Sequence, residues 1–194
     1  MNVMVRFSFC LAALMKISGR NAAGQLSARQ TNYLCFMPEP IKRSSQLAPL
    51  SREHHDGLLF AWKIKQGIEN KAPLEIMRKY ALWYWRHHIK PHFFQEEKIL
   101  LSHMPANHPM AVKLLEDHDH IRELILGLDD EADKRTLVIL SDLLNTHIRF
   151  EERELFVYLE QNLPAKQLDI VFTQLEKHPV HCEQEWKEEF WVKK

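Results

Sequence analysis

At 194 residues the chain is long enough for one domain with a substantial core. Lys plus Arg and Asp plus Glu balance at 26 each, which excludes a global charge that would steer the chain to nucleic acid or an anionic membrane. Five glycines, abundant Leu, Glu, Lys, Ala and Met, and no alternating apolar pattern exclude a β architecture and predict an all-α protein. Three cysteines, Cys10, Cys35 and Cys182, form no CxxC pair. Their odd number argues against a disulfide framework and for a reducing, cytoplasmic compartment.

Residues 1–48 read as an N-terminal extension or linker. Phe7 to Met15 is an apolar run of nine, too short to span a bilayer. Three readings stay open: an upstream extension with Met37 as the alternative start, a short ordered helix, or a targeting segment. Pro38-Glu39-Pro40 and the polar stretch through Gln46 read as a linker. Residues 49–163 carry four helical patterns. The first is expected to start at Ser51 as N-cap, with Glu53 in its first turn, and to end near Asn70. Pro73 opens the second, which runs to about Ser102 with Pro91 bending it just before His92. His103 to Pro109 is a break. The third helix covers about Met110–Leu128 and the fourth about Glu131–Gln161, with Asp129-Asp130 as its cap. Pro164 begins a C-terminal helical segment, residues 164–194, interrupted at His178-Pro179, whose Trp186–Trp191 tail is expected to cover one end of the domain.

Ten of the twelve histidines lie between His54 and His147. The stretch His92-Phe93-Phe94-Gln95-Glu96-Glu97-Lys98-Ile99-Leu100 returns as His147-Ile148-Arg149-Phe150-Glu151-Glu152-Arg153-Glu154-Leu155. At i and i+4 in a helix, each copy aims an imidazole and a carboxylate at one point, a metal-ligand geometry. Leu82, Trp85 and Ile89 lead up to His92. Leu140 and Leu144 lead up to His147, with Leu155 and Tyr158 beyond, so both pairs fall on a buried stripe. A single pair of this kind is more often a surface ion pair. Two copies in the core register reverse that reading, because buried imidazoles and carboxylates are costly unless paired or coordinated.

In the third helix Leu114, His118, Ile121, Ile125 and Leu128 share a stripe, so His118 points inward and His120 away. In the first, His54 shares a stripe with Leu58 and Ala61, and His55 one with Leu59 and Trp62. Leu50-Ser51-Arg52-Glu53-His54 parallels Leu114-Leu115-Glu116-Asp117-His118, which favours His54, with His55 as the alternative. His88, one turn before His92, reads as a hydrogen-bonding neighbour of the ligands rather than a fifth nitrogen. Glu97 and Glu152 lie about 100° off the stripe and read as surface groups or as partners one layer outside the ligands. The tryptophans, Phe93 and Phe94 read as core; His87, His103, His108, His178 and His181 read as solvated or capping.

The resulting order, His, His-x-x-x-Glu, His, His-x-x-x-Glu, resembles the hemerythrin-like HHE cation-binding domains over roughly residues 50–163. The resemblance implies an up-down-up-down antiparallel four-helix bundle, here with the extra C-terminal segment, holding two non-haem irons. It implies His54, His92, His118 and His147 as terminal ligands and Glu96 and Glu151 as bridging carboxylates. Oxygen-carrying hemerythrins place a histidine four residues after a histidine on helix three; this chain has Arg122 there, which sets it apart from the oxygen carriers.

Imidazole with carboxylate suits iron, with manganese or zinc as alternatives, and six ligands divide naturally between two ions. The expected function is therefore a di-iron protein that binds or senses oxygen species, nitric oxide or iron itself. A di-iron oxidase or peroxide-consuming enzyme is the alternative, although ferritin-type sites place the Glu before the His, and a metal clasp without turnover is the third reading. Expected partners are metal ions and small diatomic or peroxide ligands.

Overall fold

A computed structural model of the chain describes residues 42–128, 133–180, 182–183 and 185–193. The apolar run 7–15, Met37, Pro38–Pro40, Asp129-Asp130 and His181 lie outside the described residues, as do the expectations attached to them. All regular elements among the described residues are helical. Helix α1 is Ala48–Glu69. Helix α2, Leu74–Tyr84, continues without interruption through a π-helical turn Trp85–Ile89, α3 Lys90–Phe94, a second π turn Gln95–Leu100 and a 3₁₀ turn Leu101–His103. Helix α4 is Pro109–Gly127. Helix α5, Lys134–Phe150, continues through a third π turn, Glu151–Leu155, into α6, Phe156–Asn162; α7 is Ala165–Lys177.

The boundaries differ from expectation where side chains found other work. Helix α1 begins before Ser51, with Pro49 in its first turn, and Ser51 Oγ instead donates to Glu152 at 2.6 Å. Its C-terminus closes with the bond pair of a Schellman motif, Lys71 N–H to Ile68 O and Ala72 N–H to Gly67 O, with Lys71 at φ 57°. Asp133 caps α5, accepting from Thr136 N–H at 3.0 Å, and His108 caps α4 through Nδ1. Pro91 sits in the first turn of α3, directly after a π turn whose wider register tolerates the missing donor. The third π turn shifts the buried face by one residue: Leu155, Phe156 and Leu159 are buried, and the expected Tyr158 is only half-buried. Residues 43–47 do not behave as a linker, because Arg43 pairs with Glu152 and Glu160 at 2.8 and 2.9 Å and Leu47 is fully buried.

Two apolar clusters bracket a polar layer. One takes Phe60 and Ile64 of α1, Met77 to Phe93, Ile121 to Leu128 and Leu137 to Ile148. The other takes Leu47 and Leu50, Ile99 to Met104, Ala111 and Leu114, Phe150 to Leu159, and Val171 and Leu175 of α7. His54, His92 with Glu96, His118, and His147 with Glu151 fall between the two clusters on the four longer helical runs, and α7 carries none of them. The tail does cover one end: Phe190 joins the first cluster beside α1 and α2, and Trp191 O accepts from Asn70. Phe94 and Trp62, expected in the core, are exposed because their helical positions face outward.

Gly67 makes the tail's docking possible, since a Cβ there would lie 2.5 Å from the Phe190 ring and 2.7 Å from Met77 Sδ. Gly67→Ala should gain about 1 kcal/mol of helix propensity but lose about 1–3 kcal/mol to overpacking. The expected net is a small loss of stability together with release of the tail, read as a red shift of tryptophan emission; unchanged emission would show that the tail adapts.

Candidate metal centre

The side chains of His54, His92, Glu96, His118, His147 and Glu151 converge in the polar layer and are all buried. Their ligating atoms form two groups, His54/His92/Glu96/Glu151 and Glu96/His118/His147/Glu151, each with every atom within 4.8 Å of the others. Either group can hold a metal ion, and the two share both carboxylates. His55 is exposed, so the inward histidine of α1 is His54.

Hydrogen bonding fixes how each imidazole presents itself. His54 Nδ1 lies 2.7 Å from Glu152, His92 Nδ1 2.7 Å from Glu53, His118 Nδ1 3.0 Å from Glu97, and His147 Nδ1 3.3 Å from Asp117. An ionised carboxylate only accepts, so each Nδ1 carries the proton and each Nε2 is turned to the centre. There Nε2 of His54 lies 3.1 Å from Glu151, Nε2 of His92 3.2 Å and of His118 3.3 Å from Glu96, and Nε2 of His147 3.2 Å from Glu151. Despite these short separations, Nε2 of His54, His118 and His147 and all four oxygens of Glu96 and Glu151 lack a hydrogen bond of acceptable geometry. Orphaned buried polar atoms at such density are costly without a further partner, and imidazole with carboxylate is a donor set that could hold a metal ion.

The outer carboxylates form a closed relay. Glu53 on α1 holds His92, Glu97 beyond α3 holds His118 on α4, Asp117 on α4 holds His147 on α5, and Glu152 beyond α5 holds His54 on α1. Each stands next to a ligand in sequence, so the 100° step of the helix turns it toward the neighbouring helix and that helix's histidine. Glu97 and Glu152 thus belong to the layer just outside the ligands. Glu53 and Asp117 have the same role, unrecognised in sequence although both stand immediately before a histidine at the same offset from a leucine. Arg122, in the position where the oxygen carriers have a histidine, backs Glu97 at 3.1 Å. His88 makes no hydrogen bond to the ligands among the described residues; its ring stacks on Tyr84 with centroids 4.4 Å apart. Phe93 stacks on His118 at 3.5 Å and Phe156 on His54 at 5.1 Å, fixing two imidazole planes.

Two of the three π turns contain the central carboxylates, Gln95–Leu100 with Glu96 at its second residue and Glu151–Leu155 with Glu151 at its first. Such turns accumulate at functional sites. Beside the centre lies a cavity of about 100 Å³, reached by residues of α1, of the Leu74–His103 run and of α5 but by none of α4. His54, His92 and His147 border its inner end.

No protein-family model matches the chain, and no curated protein or solved structure matches it either. The chemistry of the site therefore rests on its own geometry.

In the metal-free protein, charge pairing dominates the layer. Burial opposes the charged form of His54, but Glu151, Glu152 and Glu96 outweigh it and hold its pKa well above the usual histidine range. The same contest, against Glu96 and Glu53, raises His92 to about 9. Burial of Glu96 is outweighed by His92, His118 and His54, so its pKa falls well below the carboxylate range. Glu152 drops to about 2, because His54, Ser51 and Arg43 overcome its burial. A raised folded pKa stabilises below the unfolded value and is lost as pH rises through the folded one, so the His92 contribution is full below 6.5 and fades through about 9. A lowered one does the reverse, so the Glu152 contribution is full above 4.5 and fades toward about 2. The thermal midpoint of metal-free protein should therefore be highest between these limits and fall on both sides; a midpoint that climbs steadily from pH 6.5 to 9 would contradict the pairing.

Proposed function

We propose that this chain is a non-haem di-iron-binding protein of the hemerythrin-like type, which binds or senses small oxygen species, nitric oxide or iron itself. The observation that carries the reading is the pair of His₂Glu₂ groups with shared, buried and otherwise unpartnered Glu96 and Glu151 oxygens. His54 and His92 would hold one ion, His118 and His147 the other, with both carboxylates common to the two. Iron in such N/O surroundings supplies redox change and open positions for small ligands; manganese and zinc suit the same donors less specifically.

In this reading the four helical runs form an up-down antiparallel bundle. Its support is that the second apolar cluster takes the early residues of α1 and α4 but the late residues of the other two runs, a distribution that alternating helix directions would give. The cavity at the centre favours ligand binding over a closed structural clasp.

The histidine-holding carboxylates orient the ligands and raise their basicity, a contribution typically worth about 10–100-fold in metal affinity. Protein reconstituted with ferrous iron should hold about two ions per chain by elemental analysis. Glu96→Ala and Glu151→Ala should each lose both, since each removes a ligand common to the pair. Glu97→Ala and Glu152→Ala, by contrast, should weaken one ion by about 10–100-fold and leave the other in place. One tightly held zinc per chain, indifferent to Glu96→Ala, would overturn the di-iron reading.

A further inference from the structure

The cavity beside the centre is not symmetric with respect to the four helical runs. At its inner end are buried His54 and His147, whose Nε2 atoms lack partners; at its outer end are exposed Asp56, half-buried His88 and half-buried Val180. It therefore runs from the exposed side of α1 to three of the four histidines, and its volume of about 100 Å³ admits a molecule of only a few heavy atoms. Gly57 forms part of the wall where α1 approaches α5, and a Cβ there would lie 2.8 Å from Ile148 Cδ1, another wall atom.

The charges along this path are equally one-sided. Three of the four histidine-holding carboxylates are backed by a cation: Glu152 by Arg43 at 2.8 Å, Glu97 by Arg122 at 3.1 Å and Asp117 by Lys113 at 2.7 Å. The fourth, Glu53, accepts only from His92 among the described residues, and it lines the cavity. Asp56, one helical turn further along α1 and also on the wall, has Lys63 as an electrostatic neighbour, and Lys63 does not line the cavity. Six carboxylates in the two layers stand against two divalent ions and the cations Arg43, Arg122 and Lys113, which leaves the centre only about one charge positive, so the further acid on the wall, Asp56, weighs strongly on an approaching anion.

We propose that this cavity is the entry path to the metal pair and that Glu53 and Asp56 make it a charge filter, admitting small uncharged molecules and cations while opposing anions. The proposal rests on the metal-pair reading above and adds the route and its selectivity. Recognition here is by size and charge: the wall holds the acids Glu53 and Asp56, four histidines, Tyr84 and apolar side chains, and no arginine or lysine to receive an anion.

The test uses iron-loaded protein and two probes followed by stopped-flow absorbance, azide as the anion and nitric oxide as the uncharged molecule. Asp56→Lys reverses the charge at the outer end without touching the ligand layer. It should speed azide association about fivefold at low ionic strength, an effect that fades near 1 M salt, and leave nitric oxide association unaltered. Glu69→Lys makes the same net-charge change thirteen residues along α1, about 20 Å away, and should alter neither rate. Gly57→Ala, which crowds the wall, should slow both probes. Metal content of every sample separates the two readings. Two ions per chain with equal azide rates in wild type and Asp56→Lys would overturn the filter and leave the metal pair standing. Two ions per chain with Gly57→Ala slowing neither probe would overturn the route.

Discussion

The burial of two carboxylates and four imidazoles in one layer between apolar clusters is the constraint on which the rest of this structure depends. Removing Glu96 and Glu151 from water costs several kcal/mol each unless opposite charge and good donors replace the solvent. In the metal-free protein His54, His92 and His118, whose pKa values the neighbouring carboxylates raise against burial, supply that charge. Those pairings remain poor hydrogen bonds, because the Nε2 and carboxylate atoms are aimed at common points rather than at each other. A layer shaped for cations and filled by protons gives metal binding its chemical sense: ions can take over the charge compensation with better geometry.

The outer carboxylates convert four separate histidines into one unit. Because Glu53, Glu97, Asp117 and Glu152 each reach from one helical run to the histidine of the next, the orientation of every ligand depends on the packing of two runs. The interlocked arrangement restricts the imidazoles before any ion arrives, which lowers the ordering cost of binding. It also explains Ser51 and Arg43, side chains outside the ligand set, which hold Glu152 in place. Among the described residues no cation braces Glu53 in the same way, which leaves the cavity side of the layer the more negative one.

Much of this was legible in the sequence. The i, i+4 spacing of His92 with Glu96 and His147 with Glu151, and the apolar stripe around His118, follow from the helical period, so five of the six converging residues could be named without coordinates, while the period left His55 open beside His54. The adjacent acids were equally visible, as a Glu after each carboxylate ligand and an acid before His54 and His118, but their partners were not. A residue 100° off a stripe faces a neighbouring helix, and which group stands opposite depends on how the helices pack. For the same reason His88, one turn from His92, proved to stack on Tyr84 rather than bond to a ligand.

By itself the sequence determined the helical class, the inward register of each run and the donor types in the polar layer, because local periodicity and side-chain chemistry suffice for these. Tertiary structure alone decided what depends on contacts across helices. It placed the π turns that carry Phe156 rather than Tyr158 into the core, released Ser51 from capping to hold Glu152, matched each histidine to a carboxylate on another run, and left a cavity on the side away from α4. These features arise where neighbouring surfaces meet, and no pattern within a single helix encodes which surfaces those are.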